Sequence, residues 1–264
     1  MLIGYGQPIA TVSVDGGSAA NLQALVDGRP SSIARVNGGA GSVRLRLSWS
    51  VPTPVRIAAV LGLTCPAGTR VTLSGQREGE EHYDTQLGGN GDQQPVMELA
   101  DGSLAAWFVL GGAPLLIGLQ VEIEAASFDI GELVAMPAVE VGHQVGWSVD
   151  TVDPSIRERT IGGGLNVVER RAYRVLRVDV TPAPLAEARG GGLSQGMDLD
   201  RLRRRVAGGR RVVAVPRWRS PSGALDVAEI HATALYGQAV AGASTHLGGD
   251  YYGSAWTFEE IPPL

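Results

Sequence analysis

Alternating apolar and polar residues mark the clearest predicted strand of the chain, at residues 42–49. Val43, Leu45 and Leu47 fall on one face of this segment, and arginines fall on the other. Because successive side chains of a strand point to opposite faces, the period of two predicts a half-buried strand. The next run, at 55–63, is almost wholly apolar and rich in β-branched residues. It predicts a strand in the core of a β-sandwich.

A proline-containing turn is expected at 51–54, between those two strands. Shorter runs of the same kind predict further strands along the chain. They lie at 71–74, 105–110, 119–125 and 128–136 in the first half, and at 172–180, 210–218, 228–240 and 253–261 in the second. The segment 83–101 is acidic, rich in glycine and poor in apolar residues, which predicts an exposed loop.

One short helix is predicted in the second half. Asp198 suits its N-cap, Leu199, Leu202 and Val206 share one face, and a pair of glycines follows. Composition supports few helices elsewhere, because the 264 residues include 37 Gly and 15 Pro, which interrupt helices. The predicted fold class is therefore all-β, or mainly β with one short helix.

The distribution of charge suggests two domains. Residues 1–140 contain 7 Arg and 14 acidic residues, whereas residues 141–264 contain 15 Arg and 13 acidic residues. Such a change in balance along a chain indicates surfaces of different character. We place the boundary after a proline-containing segment, giving predicted domains at 1–138 and 139–264.

Candidate chemistry is sparse. The single cysteine, Cys65, excludes a disulfide framework and favours a small buried residue. The four histidines have no metal-ligand spacing, and no nucleophile elbow or phosphate loop is present. An acidic run at 78–92 suits a cation, although a solvated loop is the preferred interpretation. We therefore expect no enzyme activity, catalytic residue, cofactor or metal.

The overall charge and hydropathy also bear on partners. A net charge of −5 disfavours nucleic acid as a partner, and no apolar run is long enough for a membrane span. The strongest local charge feature is a basic cluster in the second half that also contains a tryptophan. Its members are Arg201, Arg203, Arg204, Arg205, Arg210, Arg211 and Trp218. These residue types are enriched at protein interfaces, which makes the cluster a candidate interface. The alternative is a solvated helix surface beside a strand edge.

Several motifs of the first half resemble, in order, the galactose-binding-like (discoidin-like) jelly roll. They are the turn at 25–32, which contains Asp27-Gly28-Arg29-Pro30-Ser31, the alternating strand at 43–49, and the segments 119–125 and 128–138. The resemblance covers residues 15–138 and implies a galactose-binding-like β-sandwich followed by a second β-rich domain. Relatives of this kind often bind calcium near the early turn, where only Asp27 can be matched.

Segments of the second half are similar to tailed-bacteriophage minor tail or baseplate proteins of the distal-tail or tail-tip kind. They are 144–149, 171–180, 209–218 and 251–260. This resemblance implies a structural virion protein of the phage tail, made in the host cytoplasm. It also implies homo-oligomerisation with trimeric or hexameric symmetry and contacts with other tail proteins.

A carbohydrate-binding module for a host surface glycan is the alternative function. Such a site needs an exposed aromatic platform with polar neighbours. In the first half, Tyr83 and Trp107 are the candidate glycan contacts, because Trp49 and Phe108 fit core positions.

Overall fold

In the computed structural model, the chain is described at residues 1–39, 41–90, 92–99, 101–159 and 161–262. Strands account for 50% of the residues and helices for 11%. The predicted mainly β fold class is therefore confirmed. The strands form stacked sheets, and the segments between them are mostly short turns.

The outermost layer is a five-stranded sheet in the order β2-β5-β11-β7-β8. Its strands are β2 Thr11–Asp15, β5 Val43–Pro54, β7 Arg70–Gln76, β8 Gln93–Pro95 and β11 Leu115–Ile123. The alternation predicted at 43–49 is confirmed, since Val43, Leu45 and Leu47 are buried. A three-stranded sheet of β3 Gly17–Ala20, β4 Ala34–Gly38 and β12 Ser127–Ile130 adds to this part of the chain.

The middle layer is a four-stranded sheet in the order β13-β6-β10-β9. Its strands are β6 Ile57–Leu63, β9 Met97–Glu98, β10 Leu104–Val109 and β13 Glu132–Met136. Alternate residues of this sheet enter two different cores. Ala58 and Phe108 pack toward the five-stranded sheet, whereas Ile57 and Trp107 pack on the opposite side. Burial on both faces explains why β6 is apolar throughout.

The third layer is an eight-stranded sheet, in the order β14-β1-β19-β20-β22-β18-β15 with β21 also paired to β22. The strands are β1 Leu2–Tyr5, β14 Ala138–Glu140, β15 Ser148–Val152, β18 Tyr173–Pro184, β19 Val212–Val215, β20 Leu235–Ala241, β21 Thr245–Gly248 and β22 Tyr251–Glu260. Val213 packs against the middle layer, and Val212 packs on the other face. Trp256 and Phe258 share that second face and stack with their ring centroids 5.9 Å apart.

Three α-helices complete the described fold: α1 Leu185–Arg189, α2 Leu199–Val206 and α3 Val227–Thr233. Short 3-10 turns lie at Leu22–Val26 and Ser194–Gly196. The predicted helix is α2, whose N-cap is Asp198 as expected. The expectation of a single helix is wrong, because α1 and α3 are also present. No helix in the described part of the chain has the length and hydropathy to span a membrane.

Three sequence-based assignments are corrected. The turn expected at 51–54 is wrong, because β5 continues through Pro54 with a register irregularity opposite β11. The single strand expected at 128–136 is two strands in different sheets, divided at Gly131. A Cβ at Gly131 would lie 2.2 Å from the carbonyl oxygen of Pro30, so the close approach requires glycine. The strand expected at 228–240 begins only at Leu235, after α3.

The acidic segment 83–101 is also more structured than expected. It contributes β8 and β9, and it buries Leu87, Asn90 and Val96. Asn90 accepts the N–H of Val109 at 2.6 Å through its side-chain oxygen, which joins this segment to β10. Leu87 and Val96 pack in the core of the sandwich, which explains why the segment folds back on it.

The boundary between residues 1–138 and 139–264 stays a prediction. The eight-stranded sheet draws most of its strands from the second range, and it also contains Leu2–Tyr5 from the first. β1 pairs with both β14 and β19. The first strand of the chain therefore contributes to the core of the second half.

Candidate functional site

Helix α2 presents most of its arginines to solvent because its apolar face is fixed against the core. Leu199, Leu202 and Val206 are buried. At the start of the helix, Asp198 accepts the backbone N–H of Arg201 at 2.7 Å. This N-cap and the buried face set the direction of the other side, from which Arg201 and Arg204 project.

The helix arginines line a cavity of about 460 Å³, which we call the arginine cavity. Its lining consists of Gln195, Gly196, Met197, Arg201, Arg204, Arg205 and Arg210. Arg201 is paired, with its Nε 3.2 Å from Asp198 and its Nη1 donating to the carbonyl of Gly196 at 2.7 Å. Among the residues that the structure describes, no hydrogen bond or ion pair occupies the side chains of Arg204, Arg205 or Arg210.

The two remaining arginines of the predicted cluster have other surroundings. Arg203 is half-buried, and its Nη1 contacts Asp200 at 3.2 Å. Its Nε and Nη2 are buried without a partner in the described part of the chain. The Nε of Arg211 donates to the carbonyl of Gly28 at 2.6 Å, which ties the second half to the early turn of the first.

Arg211 also lines a second cavity, of about 600 Å³, which we call the junction cavity. Its walls are residues 6–10, Gln23, the turn 26–28, the pair Arg210 and Arg211, and Tyr236. Arg210 belongs to both cavities, so they are neighbours.

A buried carboxyl lies beside the junction cavity. Glu132 is fully buried, and its Oε1 accepts the N–H of Gly28 at 3.3 Å. Burial raises the pKa of Glu132 to about 8, with repulsion from Asp27 adding to the effect. The hydroxyl of Tyr236 is also buried without a partner among the described residues, and burial raises its pKa. Glu132 was not among the predicted site residues, because nothing in its sequence neighbourhood signals two-sided burial.

Trp218 does not join the arginine cluster, and its predicted place there is wrong. It is buried at 6% exposure in the core between the four-stranded and eight-stranded sheets. The guanidinium carbons of Arg219 and Arg56 lie 3.9 Å and 5.3 Å from its ring centroid. The ring therefore packs inside the molecule, with two cations stacked near it.

Neither predicted glycan contact offers a free aromatic platform. Trp107 is 1% exposed because alternation along β10 turns it into the core between two sheets. Tyr83 is half-buried, with the guanidinium of Arg46 at 5.3 Å from its ring centroid. The ring also rests on Gly118, where a Cβ would lie 2.8 Å from Tyr83 Cε1.

Two groups that nucleophilic chemistry would use are buried in the core. Cys65 is 1% exposed, as expected, and burial raises the pKa of its thiol. His231 is 2% exposed, and its Nε2 accepts the backbone N–H of Trp107 at 3.1 Å. Burial lowers the pKa of His231, so it joins α3 to β10 as a neutral ring. The described residues contain no group of three or more metal-ligating side chains, in the acidic run or elsewhere.

Sequence reasoning missed one surface, which we call the hairpin arm. It consists of β16 Ile156–Arg159 and β17 Leu165–Val168, which pair only with each other among the described strands. Every residue of both strands is exposed. The sequence signal was available, because two short strand-forming runs flank a glycine triplet at 162–164.

Apolar side chains occupy both faces of the hairpin arm. The register pairs Ile156 with Val168 on one face, and places Leu165 and Val167 on the other. Their exposed fractions range from 40% for Val167 to 60% for Leu165. Neither face of the arm is therefore fully covered by the described part of the chain.

Comparison with known proteins gives only distant matches. No family model and no curated protein matches the chain. A solved structure of CBM32-1 from a family 31 glycoside hydrolase from Clostridium perfringens is similar at 12% identity and TM-score 0.36, covering 48% of this chain and 94% of that one. CpGH89CBM32-6 produced by Clostridium perfringens is similar at 9% identity and TM-score 0.33, covering 47% and 91%.

A third solved structure is a histidine mutant of the lectin binding domain of lectinolysin, complexed with Lewis b. It is 12% identical at TM-score 0.32 and covers 49% of this chain and 93% of that one. At identities and scores this low, all three likenesses concern the β architecture alone.

Proposed function

We propose that this chain is a non-catalytic component of a protein assembly, and that its hairpin arm docks on a second copy of the chain. The observation that carries the proposal is the exposure of apolar side chains on both faces of the arm. A lone two-stranded hairpin is marginally stable in water, so a partner that covers it adds stability. Contiguous exposed apolar surface is also typical of interaction sites.

Charge favours a second copy as the partner. The arm carries Arg159, and Arg157 paired with Asp153 at 2.8 Å, on the same face as Leu165 and Val167. The first 140 residues contain twice as many acidic residues as arginines. An arginine-bearing arm is therefore complementary to the first half of another copy, and such a head-to-tail contact forms a closed ring when its rotation closes.

The experiment compares the oligomeric state of the full chain and of matched variants by light scattering after size exclusion. One double variant carries Leu165→Ser and Val167→Ser on the arm. The control carries Val240→Ser and Leu247→Ser, which remove two exposed apolar side chains of the second half outside the arm, at 62% and 55% exposure. Both double variants lose similar apolar area.

We expect the unaltered chain and the control to form oligomers at micromolar concentration. The arm variant should be monomeric, or associate at least tenfold more weakly. A monomeric unaltered chain at 100 µM would overturn docking on a second copy. Equal association of the arm variant and the control would also overturn it.

The setting that we propose for this assembly is a phage tail tip or baseplate, which places the chain in the virion. Its support is the sequence resemblance of the segments 144–149, 171–180, 209–218 and 251–260. Immunogold electron microscopy of particles encoding the chain tests this setting. Label confined to the tail tip is expected, and particles without label would contradict it.

A second candidate function is recognition of a glycan, and the junction cavity favours it. The cavity is lined by side chains able to form hydrogen bonds with the hydroxyl groups of a sugar, including Gln23, Asp27 and Arg210. Its volume of about 600 Å³ lies within the usual range for small-ligand sites. A glycan array probed with the full chain tests this function. Retention that is lost in Gln23→Ala and Asp27→Ala would support it, and no retained glycan would remove it.

A further inference from the structure

We propose that the arginine cavity binds the phosphate group of a small phosphorylated molecule. Arg204, Arg205 and Arg210 line the same cavity of about 460 Å³. They come from two separate segments, the last turn of α2 and the residues before β19. The fold therefore brings together cations that are not all adjacent in sequence.

The described lining of the arginine cavity includes no acidic side chain, whereas most other arginines of the chain contact one. Arg201 is paired with Asp198, and Arg203 and Arg189 contact Asp200. Those contacts use the carboxylates of the helix itself. The guanidinium groups of the three cavity arginines have no such partner among the described residues.

Unpaired guanidinium groups around one cavity repel each other, and an oxyanion between them relieves that repulsion. Guanidinium binds phosphate through paired, charge-assisted hydrogen bonds, which makes arginine the usual residue for this recognition. Arg204 and Arg205 lie near the C-terminus of α2, where the helix dipole stabilises their positive charge but does not itself attract an anion, so the attraction for phosphate comes from the guanidinium groups. That effect does not extend to Arg210, which lies beyond the helix.

The wall of the cavity contains a backbone feature that supports a built site. Gln195 has φ 60° and ψ 26°, the left-handed conformation that non-glycine residues seldom adopt. Its side-chain oxygen accepts the hydroxyl of Tyr5 at 3.2 Å, which links it to β1. Strained residues maintained by their surroundings concentrate at ligand sites.

The size of the arginine cavity indicates a ligand larger than a free phosphate ion. A volume of about 460 Å³ holds a phosphate together with part of the molecule that bears it. Through Arg210 the arginine cavity adjoins the junction cavity, which has polar groups of its own. A phosphate among the three arginines thus leaves room for an attached polar group toward the junction cavity.

The experiment measures pyrophosphate binding to the full chain by isothermal titration calorimetry at 150 mM salt, which screens diffuse attraction. The test variant carries Arg204→Gln and Arg205→Gln, and a third chain carries Arg210→Gln. The control variant carries Arg77→Gln and Arg170→Gln, two exposed arginines outside both cavities and outside the hairpin arm. Test and control double variants change the net charge equally.

We expect the unaltered chain to bind one pyrophosphate, with affinity reduced at least tenfold in the test variant. Arg210→Gln should also weaken binding, and the control should stay within twofold of the unaltered chain. No binding to the unaltered chain at millimolar pyrophosphate would overturn the proposal. An equal loss in test and control variants would also overturn it, because attraction would then depend on net charge alone. Thermal unfolding curves without pyrophosphate establish that each variant is folded.

Discussion

Glu132 offers the sharpest test of how the layers fit together, since β13 buries this carboxyl completely. One of its oxygens accepts the N–H of Gly28, and the other has no partner among the described residues. Burial raises its pKa from near 4.5 to about 8. The folded chain therefore holds a proton on Glu132 over a pH range in which the unfolded chain releases it.

The sign of the effect on stability follows from this raised pKa. Protonation of Glu132 favours the folded state fully below pH 4.5, and this contribution is lost as the pH rises to about 8. At ~1.4 kcal/mol per pH unit, the loss reaches ~5 kcal/mol over that range. Between pH 5 and pH 8.5 we expect the stability lost through Glu132 to be ~4 kcal/mol.

The substitution Glu132→Gln removes this titration while keeping an oxygen for the N–H of Gly28. The free energy of unfolding of the variant and of the unaltered chain is measured in urea at pH 5 and pH 8.5. From pH 5 to pH 8.5, the free energy of unfolding of the variant minus that of the unaltered chain should rise by ~4 kcal/mol. Because other titrating groups are shared, they cancel in this difference. Glu98→Gln, at an exposed position, serves as the control and should show no such shift.

A shift below ~1 kcal/mol for Glu132→Gln would contradict a raised pKa of Glu132 in the folded chain. It would mean that the buried carboxyl is as easily ionised in the folded chain as in water.

Three further substitutions test the packing, each measured as a change in the free energy of unfolding. Arg174→Ala should cost ~3–5 kcal/mol, because it leaves Glu260, at 7% side-chain exposure, buried without its cation; a loss under ~1 kcal/mol would contradict this. Gly131→Ala should cost ~1–3 kcal/mol or more, whereas Gly112→Ala, which meets nothing within 4 Å, should stay within ~0.5 kcal/mol; equal effects would refute the close approach. Trp218→Ala should cost ~3–5 kcal/mol, because loss of the ring leaves a cavity between the two sheets; an unchanged stability would place the ring outside the core.

The fold class could be predicted because half-buried strands carry their own signal. The alternation of Val43, Leu45 and Leu47 reflects one buried face, and no knowledge of the partner layer is needed. Strands of the middle sheet were predicted from apolar runs that show no such alternation, since both faces of that sheet are buried. Phe108 was assigned to the core and Trp107 to the surface, whereas adjacent residues of one strand enter two separate cores.

The helix α3 was hidden for a different reason. Its apolar residues continue into β20, so the two elements form one hydrophobic stretch in the sequence. The start of the helix has a local signal: Asp226 accepts the N–H of Glu229 at 3.2 Å, and the spacing of these two acids matches a helix start. This cap indicates a helix where the apolar pattern alone indicates a strand.

The candidate site was predicted in part. The sequence grouped the arginines, and the structure brings Arg201, Arg204, Arg205 and Arg210 to one cavity. The same grouping included Trp218, which lies in a core instead. Closeness in sequence correctly predicted that the arginines of α2 lie together. It failed for Trp218, because β19 separates this residue from those arginines.

Docking of the hairpin arm on a second copy is tested most directly by site-specific photo-cross-linking. A photoreactive amino acid replaces Leu165 in one sample and Leu247, an exposed residue of the second half outside the arm, in another, and both full-length chains are irradiated at micromolar concentration. We expect a dimer-sized product from position 165, with peptides of the first 140 residues of a second copy attached to it, and little product from position 247. Cross-links from position 165 only within one chain, or equal dimer yields from the two positions, would contradict it.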